Sequence, residues 1–470
     1  MNILANMKNW TILLLAYIVV WILMILPTNA ISQAIEISPD YPQYWSYQGE
    51  PVLLLGGSVE DKLFQIPNLE EHLDLLSSVG GNYVRNTMSS RDPGDLWPFY
   101  FDEESKLYDL DKWNEAYWQR FENFLKQTAK RNIIVQIEFW ATFDYYRDTW
   151  ERNPFNPKNN ISYDAARVDL PEEIPTHPIF TDNPFFWSIP KQNNNMRLLW
   201  YQQRFVDKLL SYSLNYGNVL YCIDNETSVT ALWGQFWSEY IKKKALEVGR
   251  KVFVTEMWDP WDLDHVSHRE TFDHPETYDF VEISQNNHQK GQQHWDNGLK
   301  QIDRLNNMGY LRPVTNVKTY GNDGGRHGGG TQNGMESFVR SVLFGSAAVR
   351  FHRPDSGLGL GKEAQAVIGS MRQLSDQMDF FEAQPRADLL SENQENEAYC
   401  RADAGNSYAV YFPAGGSVAL DLSDCRQSGE IQWLNVMETT WSNSSVIEPG
   451  DKVIIEAPGM GQFVALIEFD

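Results

Sequence analysis

Cysteine is scarce, with three in 470 residues, too few for a disulfide scaffold. Cys222 sits inside an apolar run and reads as a small buried residue. Cys400 and Cys425 fall in one C-terminal segment and could pair in an oxidising compartment. No spacing suggests zinc and no His-Glu-x-x-His occurs. The loose His-rich stretch from Asp264 to His274 could touch a metal, but surface histidines are the simpler reading, so no metal or cofactor is implied. A basic surplus is also missing: 39 Lys and Arg face 63 Asp and Glu, for a net charge of −24. That argues against a nucleic-acid groove and against adsorption to anionic membranes, while a local basic pocket could still accept an anion. There is no Ser/His/Asp order with a nucleophile elbow. Gly324-Gly-Arg-His-Gly-Gly-Gly330 lacks the Lys-Ser/Thr of a phosphate loop. Internal repeats and low-complexity tracts are absent.

What is present begins with an apolar stretch, Trp10 to Leu26, after Lys8 and before Pro27-Thr-Asn-Ala30. This is the pattern of a secretory signal, with cleavage expected after Ala30, or after Ala34 as the second choice. The apolar part is long, so an uncleaved anchor is the alternative. No second segment could span a bilayer, and no membrane insertion is expected after cleavage. The 42% apolar content supports a large core.

From there the chain alternates short apolar runs with amphipathic stretches. Val52 to Leu55, Asn82 to Asn86, Ile133 to Ile137, Val219 to Ile223, Val252 to Thr255, Phe280 to Ile283, Pro313 to Val317 and Ala347 to Phe351 read as strands. Helices are expected between them: from Asn68 (a cap) to Gly80, Asp111 to Arg131, Met196 to Tyr216, Thr230 to Val248, Gly291 to Met308 and Met335 to Gly345, with Lys362 to Phe381 closing the series. Such alternation implies parallel strands with right-handed crossovers, and eight of them favour a (β/α)8 TIM barrel. Polar residues cluster after each apolar run, on the face where barrels carry active sites. A long excursion, Tyr146 to about Gln192, is expected to wall the cleft. Beyond Pro385, short strands at 408–412, 417–421, 430–434, 452–456 and 463–467 alternate with turn residues, which predicts a small antiparallel β-sandwich. The division is therefore 1–30 signal, 31–385 barrel and 386–470 sandwich.

Three stretches, Gly80-Gly-Asn-Tyr-Val-Arg85, Asp224-Asn-Glu226 and the tail from Pro449-Gly-Asp-Lys-Val through Phe463-Val-Ala-Leu, carry a resemblance. In their order and positions the chain resembles the apiosidase-like members of the retaining, clan-A (β/α)8 glycoside hydrolases. Those proteins often carry a C-terminal β-sandwich with a collagen-binding label. The resemblance implies a secreted glycoside hydrolase with a carbohydrate substrate, Glu226 as acid/base, Asn225 on a substrate hydroxyl and Arg85 near a second carboxylate. Glycosidic cleavage asks for one carboxyl group to protonate the leaving oxygen and another to attack or to activate water.

The seventh strand departs from that pattern. It reads Val314-Thr-Asn-Val-Lys-Thr-Tyr320, with Lys318 where the nucleophilic Glu is expected. Glu256 is the first choice for the second carboxylate, or else the ion-pair partner of Lys318. Asp323 is a further candidate, or a turn residue in Asn-Asp-Gly-Gly. Glu138 binds a hydroxyl or orients an arginine, and Asp259 is a weaker version of the same. Trp140, Trp258, Tyr320, Arg350 and His352 complete the expected binding residues. A minority of the 17 Trp, 22 Tyr and 24 Phe could stack on sugars. Lys318, Arg326, His327, Arg350, His352 and Arg353 gather late in the barrel; they suit an acidic or sulfated glycan, or they pair with local acids. The alternatives are a non-catalytic carbohydrate-binding protein on a decayed barrel, and a polysaccharide lyase using Lys318 or Tyr320 as base.

Overall fold

The structure, a computed structural model, describes residues 34–323 and 329–469. The expected signal segment, Arg326 and His327 lie outside the described residues. Eight parallel strands form one sheet: β1 (Leu54–Gly57), β2 (Tyr83–Thr87), β3 (Ile134–Trp140), β4 (Val219–Asp224), β5 (Val254–Thr255), β6 (Val281–Glu282), β7 (Val314–Thr319) and β8 (Ala348–Phe351). Their order is β5-β4-β3-β2-β1-β8-β7-β6. The seam between β5 and β6 is closed by Asp279 N donating to Val254 O (2.8 Å), Val254 N to the Asp279 carboxylate (2.9 Å) and Thr255 Oγ1 to Phe280 O (2.7 Å). This is the (β/α)8 barrel expected from the alternation. Every residue of these strands is buried, which is why stretches such as Val219 to Ile223 read as continuous apolar runs, while β2, β3 and β7 also bury polar side chains such as Arg85, Glu138 and Lys318. Gly56 lets β1 close on β2: a Cβ there would stand 1.9 Å from Tyr83 O.

A helix follows each strand: α1 (Leu69–Ser78), α2 (Glu115–Lys130), α3 (Met196–Ser213), α4 (Ala231–Glu247), α5 (Val266–Phe272), α6 (Gly291–Asn307), α7 (Gly330–Phe344) and α8 (Lys362–Gln377). Asn68 stands at the N-cap of α1 without a side-chain cap bond. Two boundaries differ from the sequence reading in an informative way. The helix expected from Asp111 starts at Glu115, because Leu107–Trp113 pairs with Phe99–Asp102 as a hairpin. Trp113, read as a helix-face residue, stacks on Phe99 at 5.2 Å instead. And β7 runs to Thr319, so Lys318 lies within the strand. The β7–β8 ladder shifts register between Asn316 and Thr319, an irregularity of the kind that re-aims a side chain.

The long excursion after β3 folds as short helices and 3-10 turns. Buried asparagines hold it: Asn183 donates to Tyr145 O (2.7 Å) and Asn156 to Trp150 O (3.0 Å) and Glu172 O (2.8 Å). Phe185 and Phe186 plug it into the barrel side against Trp140 and Trp233.

The C-terminal segment forms a seven-stranded antiparallel sheet facing a three-stranded one. Its central strands are buried on both faces, and the period of two sorts them. Tyr399, Ala409, Tyr411, Leu434, Val464 and Leu466 join the barrel's core. Cys400, Tyr408, Val410, Phe412, Ala465 and Ile467 fill the sandwich interior. Strand Tyr399–Asp403 was not legible in the sequence because a charged residue, Arg401, interrupts it. Arg401 is fully buried and points toward the barrel, donating to Leu343 O of α7 (3.2 Å), Phe380 O (2.9 Å) and Tyr44 Oη (2.7 Å). All three cysteines are free thiols, so Cys400 and Cys425 do not pair: Cys400 is buried in the sandwich interior, and Cys425 Sγ lies against Tyr408 Oη at 3.3 Å. Arg401→Met strands those three acceptors and is expected to cost about 3 kcal/mol, read as a lowered urea midpoint. Arg401→Lys, lacking the fork, is not expected to restore it.

Candidate active site

A cleft of about 640 Å³ opens where β-strands end in loops. Asp61 enters it after β1, Asn225 and Glu226 after β4, Asp259 to Trp261 after β5, His288 after β6, Lys318 and Tyr320 from β7, and His352 after β8. Phe143, His177 and Ile179 form the wall supplied by the excursion.

Glu226 is held in the left-handed backbone region at φ +50°, a conformation that costs a non-glycine residue about 1 kcal/mol. The neighbouring ladder enforces it: Asn225 N donates to Trp140 O (3.1 Å) and Thr227 N to Met257 O (2.8 Å). Strain kept in place this way is characteristic of working sites. The Glu226 carboxylate meets Lys318 Nζ at 2.7 Å and accepts from Gln285 Nε2 (3.3 Å) and Tyr320 Oη (3.4 Å). Lys318 Nζ also donates to Asn225 Oδ1 (2.7 Å), which takes a second bond from Arg85 Nη2 (2.6 Å). Both neighbours are pure donors, so the amide oxygen of Asn225 faces them and its NH2 is the part able to serve a ligand.

Arg85 is fully buried and pairs with Glu138 (2.6 Å) and Asp61 (2.8 Å). Asp61 also meets Arg350 (3.1 Å) and His352 Nε2 (3.4 Å), and His352 Nδ1 meets Asp355 (3.3 Å). Burial works to raise the Asp61 carboxyl, but Arg85, His352 and Arg350 outweigh it and hold the group well below the usual carboxylate range.

The same contest splits two cleft carboxyls. Burial pushes Glu226 up, yet Lys318, with Arg85 and His352 behind it, brings it down to about 2. Among the described residues Asp259 forms no ion pair: burial, then the Glu226 charge, raises it to about 6, against a smaller pull from Lys318. The surroundings therefore bias the first toward the anion and the second toward the acid. Pairs of titratable groups pushed apart in this way mark acid and base roles.

Among the sequence candidates, Asn225, Glu226, Asp259, Lys318, Tyr320, His352 and Arg353 come together at the cleft. Arg85, Glu138 and Arg350 lie beneath it as the charged floor. Glu256 does not face Glu226 across the mouth. It is buried, its Oε1 accepting from Asp224 N (2.9 Å) and Met257 N (3.1 Å). Trp140 is packed among Phe185, Phe205, Trp233 and Trp237, and Trp258 is buried with its indole NH on Thr271 Oγ1 (3.2 Å); neither reaches the cleft. Asp323 is exposed and accepts from Thr331 N (2.8 Å) near the start of α7, in keeping with the turn alternative. Asp61, Trp261 and His288 are cleft residues that sequence reasoning missed. The signal available for Asp61 and Trp261 was position, just beyond the first and fifth strands. Trp261 is 61% exposed and stacks on His288 with ring centroids 4.3 Å apart.

No family model and no curated protein matches the chain. Solved structures do. The chain is similar to a glycoside hydrolase family 5 protein from Bacteroides vulgatus, with a TM-score of 0.63 at 13% identity over 93% of this chain and 94% of that one. It is similar to a second structure described as a glycoside hydrolase, with a TM-score of 0.62 at 12% identity over 93% and 97%. A glycoside hydrolase family 5 mannosidase from Rhizomucor miehei matches 72% of this chain and 96% of its own, with a TM-score of 0.50 at 14% identity. At these identities the likeness is one of fold, and the first two spans take in the C-terminal sheets as well as the barrel.

Removing the Lys318 cation should raise the Glu226 pKa from about 2 toward the ordinary range. The check is a carboxyl ¹³C titration of wild type against Lys318→Met; no upward shift would contradict the pairing.

Proposed function

We propose that the protein is a glycoside hydrolase in which Asp259 donates the proton and Glu226 works as the ionised carboxylate. The observation that carries this reading is the pair itself: two carboxyls in one barrel cleft, one held at about 2 and the other at about 6. Asp259 protonates the leaving glycosidic oxygen, while the Glu226 carboxylate attacks the anomeric carbon or takes a proton from the attacking water. This reverses the role that the clan-A resemblance implies for Glu226. The reason is Lys318, a cation where a nucleophile is expected, which favours the anion at Glu226. A separation of roughly 5 Å between the two carboxyls would give retention, and about 6.5–9.5 Å inversion. The fold likeness to glycoside hydrolases supports the class of reaction.

A neutral glycan fits better than an acidic one. Lys318, Arg350, His352 and Arg353 each meet a carboxylate already, which is the pairing alternative to a free anion pocket. Trp261 offers an exposed indole face for a sugar's C–H groups, and the Asn225 amide offers donors for a hydroxyl. Export through the Lys8 to Ala30 segment would put this activity outside the cytoplasm. One observation favours a binding-only barrel instead, the 2.7 Å Glu226–Lys318 ion pair; glycan binding without turnover would select it. Of the two bases a lyase could use, the Tyr320 phenol is pushed well above its ordinary range by burial and the Glu226 charge, and the Lys318 amine, which burial brings below its ordinary value, is engaged by Glu226 and Asn225 at 2.7 Å each.

Glu226→Gln and Asp259→Asn should each lower kcat/KM by roughly 10²–10⁴-fold, measured as reducing sugar released from neutral glycans. Wild-type kcat/KM should fall as pH rises through about 6, because Asp259 must stay protonated. Activity sustained well above that pH would remove Asp259 from the acid role, and the product anomer seen by NMR decides retention or inversion.

A further inference from the structure

We propose that Glu256 is a positioning residue, not a reacting one: a single oxygen of its buried carboxyl ties the ends of β4 and β5 together and so sets Glu226 against Asp259. The inference rests on the proposed roles of those two carboxyls. Glu256 Oε1 accepts from Asp224 N (2.9 Å) and from Met257 N (3.1 Å). Glu226 lies two residues past Asp224, and Asp259 two residues past Met257. The strand ends are then laced on their far side, with Thr227 N donating to Met257 O (2.8 Å) and Asp259 N to Thr227 O (2.9 Å). The Glu256 oxygen is thus the inner knot of a frame whose outer corners carry the two cleft carboxyls.

Its surroundings suit a neutral carboxyl. Glu256 and Asp224 are both fully buried. Burial, then the Asp224 charge, raises Glu256 well above the carboxylate range. A protonated carboxyl keeps a carbonyl oxygen that can accept both N–H groups, so glutamine copies it in shape and in bonding. The other oxygen, Oε2, is backed by α4: a Cβ on Gly234 would stand 2.8 Å from it and 2.5 Å from Tyr278 Oη. Gly234 leaves the room that Glu256 occupies, although glycine inside a helix costs about 1 kcal/mol relative to alanine.

Three variants test the inference. Glu256→Gln should keep kcat within about threefold of wild type, since the acceptor is retained. Glu256→Leu removes the acceptor, and Gly234→Ala presses on the carboxyl from behind without adding or removing any cleft group. Both should lower kcat by up to about 100-fold, the cost of a 1 Å misplacement, with KM nearly unchanged and the alkaline limb of the pH profile displaced. Crystal structures of wild type and Gly234→Ala should show the Glu226–Asp259 carboxyl separation altered by about 1 Å. An inactive but folded Glu256→Gln would overturn the inference and make Glu256 a reacting group. So would an unchanged separation in Gly234→Ala. Should Gly234→Ala not fold, the contrast between Glu256→Gln and Glu256→Leu decides, in kinetics and in the crystallographic separation. If wild type turns over no glycan, the proposed function fails, while the crystallographic comparison still judges Glu256.

Discussion

A buried guanidinium organises the mouth of the barrel. Arg85 on β2 is fully buried and must be matched, because an unpaired charge there would cost several kcal/mol. Its partners come from three different places in the chain: Asp61 beyond β1, Glu138 on β3 and Asn225 beyond β4. Asn225 passes the constraint to Lys318 on β7, and Asp61 passes it to Arg350 on β8 and to His352. One cation thereby aligns most of the rim.

The electrostatic character of the cleft follows from that requirement. Charges of both signs are packed in alternation, so the net field at any one carboxyl depends on which cation touches it. Glu226 touches Lys318 and is driven toward the anion. Asp259, a short way along the rim, is desolvated beside a negative neighbour and is driven toward the acid. Two groups with nearly the same intrinsic chemistry acquire opposite tendencies from their surroundings alone.

The C-terminal sheets answer to a different constraint. Their central strands carry apolar side chains on both faces, one packed into the barrel's core and the other into the sandwich. Arg401 crosses that junction to satisfy carbonyls on the barrel side. The segment therefore packs as a continuation of the barrel's core as well as a sandwich of its own.

Much of the architecture was legible in the chain. The eight apolar runs, the helices between them and the polar residues after each run are local patterns, set by burial on both faces of a parallel sheet. Asn225, Glu226 and Lys318 were legible as cleft residues for the same reason, since each follows or ends such a run. Trp140 and Trp258 also stand at strand ends, yet pack inward, Trp140 among Phe185, Phe205, Trp233 and Trp237 although it shares strand parity with Glu138, and Trp258 on Thr271, because partners distant in sequence claim them and no local period records those partners. What only the tertiary structure decided is how its surroundings bias each carboxyl. Lys318 lies 93 residues from Asn225 in sequence, yet its ammonium bonds that amide and the Glu226 carboxylate beside it. Glu256, the best second carboxylate by position, is turned into the wall, and Asp259, three residues later, faces the cleft. A strand pattern records which residues reach the rim; a pKa records distances between charges and the water removed around them, and those exist only once the barrel has closed.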